Sequence, residues 1–212
     1  ILEVVSRGGT ALVPAFASGR GQDILRILHK EAPNLNVHYD GMGTRVTKEW
    51  LGCPELIRDA DRMVKAFRWS KRVTGKSDRK KALDADVIVT TSGMLDGGPV
   101  IWYLNRLRHS GSNAIMLTGY QAEGSGGRKL IEEGKLPIFG TLTPIPLEVD
   151  KFNLSNHADH EGLSEFARSC NPKDLILFHA TEGGRQPLHT ELAEEMTVHL
   201  PLNNEPITII PR

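Results

Sequence analysis

The chain of 212 residues carries no charge excess: 26 lysines and arginines stand against 26 aspartates and glutamates. Proteins that coat nucleic acid without regard to sequence need a basic surplus. Neutrality argues against that class while leaving room for a local basic groove. Cysteine is scarce as well. Cys53 and Cys170 stand alone, with no CxxC pair, which predicts reduced thiols and a cytoplasmic setting. Runs of about 18 apolar residues are missing, so no membrane-spanning helix is expected, and no signal-peptide pattern appears. There is no internal repeat, and none of the glycine-rich turns that follow strands carries the GK[ST] of a phosphate loop or a proper dinucleotide fingerprint. The chain opens at Ile1-Leu2-Glu3-Val4-Val5 without a methionine, inside what reads as a helix. That predicts a piece of a longer protein.

What is present is an alternation of short apolar runs and helical stretches. Thr10 to Ala17, Leu35 to Tyr39, Asp86 to Thr90 and Asn113 to Thr118 read as buried strands, with helices such as Asp23 to Ala32 and Pro99 to about His109 between them. This pattern predicts βαβ units: an α/β fold with a mainly parallel sheet flanked by helices. Pro99 suits a first helical turn, where its missing N–H costs nothing. From Leu136 to Leu154, with Pro137, Pro144 and Pro146, extended segments are expected.

Three glycine-rich turns follow strands: Ser18-Gly19-Arg20-Gly21, Ser92-Gly93-Met94 and Gly119-Tyr120-Gln121. Each is expected to present backbone N–H groups at a helix start, an arrangement that attracts phosphate. The simpler reading is that glycine only makes tight βα turns. Arg20 on the same crevice tilts the balance toward a phosphate-bearing ligand.

Two histidines are placed where a parallel sheet puts chemistry. His157 lies on the turn between Phe152-Asn153-Leu154, read as a strand end, and a helix from Glu161 to Cys170, with Asp159 or Ser155 as N-cap. His179 follows the strand Asp174 to Phe178. Ligands bind outside the carboxyl ends of such strands, so the two imidazoles are expected in one crevice. His157-x-x-His160 has a two-ligand spacing, but no third ligand is near to complete a zinc set. His29, His38, His109, His189 and His199 have no partner at a useful spacing and read as structural or exposed.

Five stretches carry a resemblance that goes further: Gly9 to Leu28 (GTALVPAFASGRGQDILRIL), Thr91 to Leu95 (TSGML), Leu117 to Tyr120 (LTGY), Ser155 to Asp159 (SNHAD) and Leu177 to Ala180 (LFHA). They resemble the β-CASP family, the nucleic-acid-cutting branch of the metallo-β-lactamase superfamily. The likeness is greatest to archaeal ribonucleases related to the cleavage-and-polyadenylation endonuclease of mRNA 3′-end processing. It implies that residues 1–150 form the β-CASP domain and residues 151–212 the returning C-terminal part of the catalytic domain. It implies a cytoplasmic hydrolase of single-stranded RNA, cutting internally or 5′ to 3′, with two zinc ions in the complete protein. It also implies a possible homodimer or RNA-processing complex. Residue by residue, His157 and Asp159 fall on the catalytic SxHAD motif, with His157 assisting protonation of the leaving group. His179 falls on a metal-ligating histidine, and Ser155 lies next to the scissile phosphate. Arg20, Ser92 and Gly93 become candidate phosphate-binding residues. The family's HxHxDH motif is absent from this sequence, so an incomplete zinc site and no activity from this chain alone are expected. The alternatives are an inactive scaffold paralogue, a DNA-cutting relative (against which His179 weighs), and a phosphate- or nucleotide-binding α/β module.

Overall fold

The computed structural model describes residues 1–154 and 157–209. Contacts divide the chain into two compact units, Ile1–Leu154 and Ser155–Arg212. The first is the α/β body that the strand and helix periodicity predicts. Its elements run α1 (Leu2–Ser6), β1 (Ala11–Pro14), α2 (Arg20–Glu31), β2 (Val37–Asp40), α3 (Met42–Leu51), a 3₁₀ turn (Pro54–Leu56), α4 (Ala60–Trp69), β3 (Lys71–Arg72), α5 (Lys76–Lys81), β4 (Val87–Thr90), α6 (Pro99–Leu107), β5 (Ala114–Leu117), α7 (Gly126–Glu133), β6 (Lys135–Ile138), β7 (Thr141–Pro144) and β8 (Glu148–Lys151).

Six strands form one sheet in the order β3-β2-β4-β1-β5-β8, and every pairing is parallel. The central strands are buried on both sides, as continuous apolar runs require when helices cover both faces. Alternation divides their side chains between two cores. Leu12, Ile88 and Ile115 point to one face, where Val100, Tyr103 and Leu104 of α6 and Leu130 of α7 meet them. Val13, Val87, Val89 and Met116 point to the other, against Leu25 and Leu28 of α2 and Phe67 of α4. Each fully buried Leu or Ile contributes roughly 1.5–3 kcal/mol of hydrophobic stabilisation.

This division sets the position of the site. β1 and β4 are neighbours, yet the helix after β1 covers one face and the helix after β4 covers the other. Their carboxyl ends therefore part around a crevice, the topological switch point at which open α/β sheets bind ligands.

Beside the crevice, the end of β2 is held by charge. Asp40, with its side chain 3% exposed, receives two hydrogen bonds from Arg79 of α5 at 2.6 and 3.0 Å and one from the Tyr103 hydroxyl at 2.9 Å. The carboxylate holds the Arg79 guanidinium above its usual pKa, and burial followed by the neighbouring Asp40 charge pushes the Tyr103 phenol up. The predicted extended segments after Gly134 form an antiparallel hairpin, β6–β7, and then the edge strand β8.

The second unit contains α8 (His160–Cys170), β9 (Asp174–Ile176), α9 (Glu182–Leu192) and β10 (Thr197–His199), with β9 and β10 paired in parallel. Arg168 of α8 reaches Glu191 at 3.0 Å and Glu195 at 2.7 Å, and His160 pairs with Glu191. Among the described residues, no helix is long and apolar enough to cross a membrane.

Candidate nucleic-acid site

The crevice between β1 and β4 is built from three loops. Phe16, after β1, wedges its ring between the loops after β4 and β5. A Cβ on Gly93 would lie 3.0 Å from the Phe16 nitrogen, and one on Gly119 would lie 3.2 Å from its ring. These two glycines therefore serve close packing. Gln121, 4% exposed, donates to the Gly93 carbonyl at 3.0 Å and to the Gly119 carbonyl at 3.1 Å, tying the two loops together. So the three glycine-rich turns do meet at one edge of the sheet.

Their chemistry differs from the expectation. Only the turn after β1 runs straight into a helix. Six residues separate Gly93 from α6 and seven separate Gly119 from α7, counting to Pro99 and Gly126, so neither turn is a helix N-terminus. Even at α2 the first N–H groups are engaged, Arg20 N–H with Ser18 and Gly21 N–H with the Phe16 carbonyl. Free backbone donors are thus a poor basis for an anion site here. The Arg20 side chain is a better one. It is 7% exposed, and its buried Nε has no hydrogen-bond acceptor. A buried guanidinium N–H without an acceptor is costly, since that donor has lost water and gained nothing. Ser92, on the loop after β4, is half-buried.

In the second unit, His157 and Asp159 are exposed on the segment leading into α8. Asp159 is the N-cap, accepting the Gly162 N–H at 2.9 Å, and it thereby fixes the path of the loop that carries His157. Ser155 lies outside the described residues. His179 is exposed, with φ of 65°, and lies beyond β9, which ends at Ile176 instead of running to Phe178. The predicted strand at Phe152–Leu154 is also corrected: β8 ends at Lys151 and belongs to the six-stranded sheet, whereas β9 pairs with β10 in a separate sheet. The two histidines therefore do not follow neighbouring strands of one sheet.

Two histidines read as unpartnered have partners. His199 bonds Asp174 at 2.8 Å across the β9–β10 ladder, and His29 packs on Trp69 with ring centroids 5.4 Å apart. Sequence reasoning included Gln121 only as backbone of the Gly119-Tyr120-Gln121 turn and missed the role of its side chain. Its one signal was the glycine pair Gly126-Gly127: a Cβ at residue 127 would lie 1.6 Å from the Gln121 Oε1.

Among the described residues, no three histidine, cysteine, aspartate or glutamate side chains are grouped to hold a metal ion. His179 by itself does not fit zinc, which takes four ligands or three and a water.

Comparison with known proteins agrees with this geometry. Residues 22–130, which span the loops of the crevice after β4 and β5, match the Beta-Casp domain, and residues 143–201 match the Zn-dependent metallo-hydrolase RNA specificity domain. The chain is 40% identical over 187 residues to the probable RNase MJ4 of Methanocaldococcus jannaschii, covering 86% of this chain and 44% of that protein. It is 36% identical over 215 residues to RNase aCSPSF2 of Saccharolobus solfataricus, covering 99% and 43%. It is 33% identical over 207 residues to the transcription termination factor FttA of M. jannaschii, covering 86% and 32%. The chain thus spans less than half the length of these relatives. With an open parallel α/β body, its switch-point crevice and a domain match through that body, the chain belongs to the β-CASP family.

Proposed function

We propose that this chain is part of a cytoplasmic RNA-processing ribonuclease that hydrolyses phosphodiester bonds in single-stranded RNA. The observation that carries the reading is Arg20: it opens the helix that follows β1 at the switch point of a β-CASP body, and its buried Nε has no hydrogen-bond acceptor. An RNA phosphate supplies the acceptors that the protein withholds, in the planar fork geometry that guanidinium favours. Ser92 and Gly93, on the loop after β4, are further candidates to contact phosphate, and the family resemblance assigns Ser155 the position next to the scissile group.

The reaction breaks the bond between phosphorus and the leaving oxygen while a water oxygen bonds to phosphorus. His157, exposed and held by the Asp159 cap behind it, gives the leaving oxygen its proton. Asp159 is in this account a positioning residue. His179 contributes one ligand to a zinc site whose remaining ligands lie outside these 212 residues. The described residues by themselves do not hold that ion. Two relatives are named as ribonucleases, which supports the substrate class. The complete protein acts as a homodimer or within a processing complex.

The test uses the complete protein and an end-labelled single-stranded RNA beside DNA of the same sequence. RNA should be cleaved preferentially, and His157→Ala should slow cleavage by roughly 10²–10⁴. The slowing should shrink for a nitrophenolate leaving group, which needs no proton. An undiminished rate in the variant would remove His157 from the reaction.

A further inference from the structure

Phe139 is the first of the two loop residues of the β6–β7 hairpin, between the paired Ile138 and Thr141. Its φ is 48° and that of Gly140 is 84°. A two-residue loop with both φ angles positive favours Asn-Gly, because asparagine tolerates the left-handed region and a bulky side chain does not. Packing returns nothing, for Phe139 is 73% exposed. The chain thus keeps an aromatic ring where it costs backbone strain and leaves apolar surface in water. Local choices that oppose folding concentrate at sites of ligand contact.

The ring borders a concavity of about 400 Å³ whose lining includes Leu95, Ile101, Pro137, Asp96 and Lys129. That volume lies within the range of small-molecule sites, roughly 300–1,000 Å³. Its walls continue the loops after β4 and β5, so it lies at the same edge of the sheet as the crevice. Leu95, Ile101 and Pro137 supply apolar surface. Asp96 is held in place because its Oδ1 accepts the Gly126 N–H at 2.7 Å, and no donor among the described residues reaches its other oxygen. Lys129 is half-buried and makes no ion pair among the described residues, whereas its neighbour Arg128 is joined to Glu132.

We infer that this concavity is a guanine-binding subsite for the RNA strand. It rests on the reading of RNA as substrate and adds a base preference to it. Apolar lining beside an exposed aromatic rim accepts a stacked base, the usual way in which single strands are held. The rim adds one fixed acceptor and one cationic donor. Guanine alone among the RNA bases offers two adjacent N–H donors, N1–H and the exocyclic amine, beside an acceptor oxygen. Asp96 takes the two donors, Lys129 donates to O6, and Phe139 covers the ring.

The experiment titrates the ¹⁵N-labelled 212-residue chain with GMP, AMP, CMP and UMP, following the amide signals of Gly97, Gly98 and Gly124. GMP should move these signals and saturate at a concentration about tenfold below the other three. Phe139→Ala should weaken GMP binding about tenfold. Phe139→Asn should weaken it as much while raising the thermal midpoint, because asparagine relieves the left-handed strain; a ring needed only for structure would lower the midpoint. Asp96→Asn keeps an acceptor for Gly126 and should erase the GMP preference while leaving AMP binding unchanged. Equal responses to all four nucleotides, silent glycine amides, or full GMP affinity in Phe139→Asn would each overturn the inference. RNA cleavage by the complete protein is scored separately. Cleavage without a GMP response sinks the subsite and leaves the ribonuclease reading standing, and a selective GMP response without cleavage does the reverse.

Discussion

Replacing Arg20 by methionine should make the ligand-free protein more stable, the opposite of what most buried substitutions do. Methionine keeps the length and flexibility of the aliphatic stem while removing a charge that the fold does not pair. The Arg20 Nε is buried without an acceptor, and the residue is 7% exposed. Relieving one unsatisfied buried donor returns about 1–3 kcal/mol. For a protein of this size that corresponds to roughly 2–12 °C in the unfolding midpoint of the first unit. Phosphate should reverse the ranking. At ten times its dissociation constant it stabilises the native chain by about 1.4 kcal/mol through mass action, and it should do little for Arg20→Met. The assay is thermal unfolding followed by circular dichroism, in phosphate-free buffer and along a phosphate series, with a short RNA as a second ligand. A lower midpoint for Arg20→Met without phosphate would refute the argument, since it would mean that the guanidinium is satisfied in the free fold. An unchanged phosphate response would refute the other half.

Three further outcomes follow from the geometry. Asp40→Asn should cost about 3–5 kcal/mol in urea denaturation, the usual result of breaking a buried ion pair from one side; a loss within about 1 kcal/mol would place the Asp40–Arg79 pair with ordinary surface bridges. Glu191 is held below the usual carboxylate range first by His160 and then by Arg168, and Glu195 by Arg168. Their stabilising effect is therefore complete above the unfolded carboxylate pKa, about 4.3, and is lost as the pH falls through the lower folded values. A proteolysis-resistance profile of the α8–α9 pair should decline there, and Arg168→Ala should flatten it. In the complete protein, His179→Ala should reduce bound zinc together with the rate, whereas His157→Ala should lower only the rate; metal analysis on the two preparations separates them, and zinc loss in His157→Ala would make that residue a ligand or a ligand's support.

Much of the body was legible because its signals are local. β1, β4 and β5 are apolar runs that need two covered faces, and Pro99 and the Asp159 cap mark helix starts that the structure places close by. α5 was harder to read, because Lys76–Lys81 is charged throughout and owes its position to Arg79 reaching Asp40, 39 residues away in sequence. Glycine and proline hid α9, which carries Gly183, Gly184 and an internal Pro187. At the site, Arg20 was a visible candidate, but its burial and lack of a partner were not, because both depend on which strands become neighbours. The same limit concealed Gln121. Its two acceptors sit on separate loops, and nothing in the residues around it says which carbonyl groups will face it.

The Gln121 brace also restricts the order in which this sequence can change. Residue 127 has no space for a side chain while glutamine occupies position 121, since the new carbon would lie 1.6 Å from its Oε1. Changing Gly127 first would expel the amide from the Gly93 and Gly119 carbonyls and loosen both loops at once. Changing Gln121 first loses the brace but vacates the space, after which residue 127 is released. Of the two mutational routes to a double variant, only the one that begins at position 121 avoids a steric collision; the route that begins at Gly127 must first displace the Gln121 amide and pass through a loosened crevice.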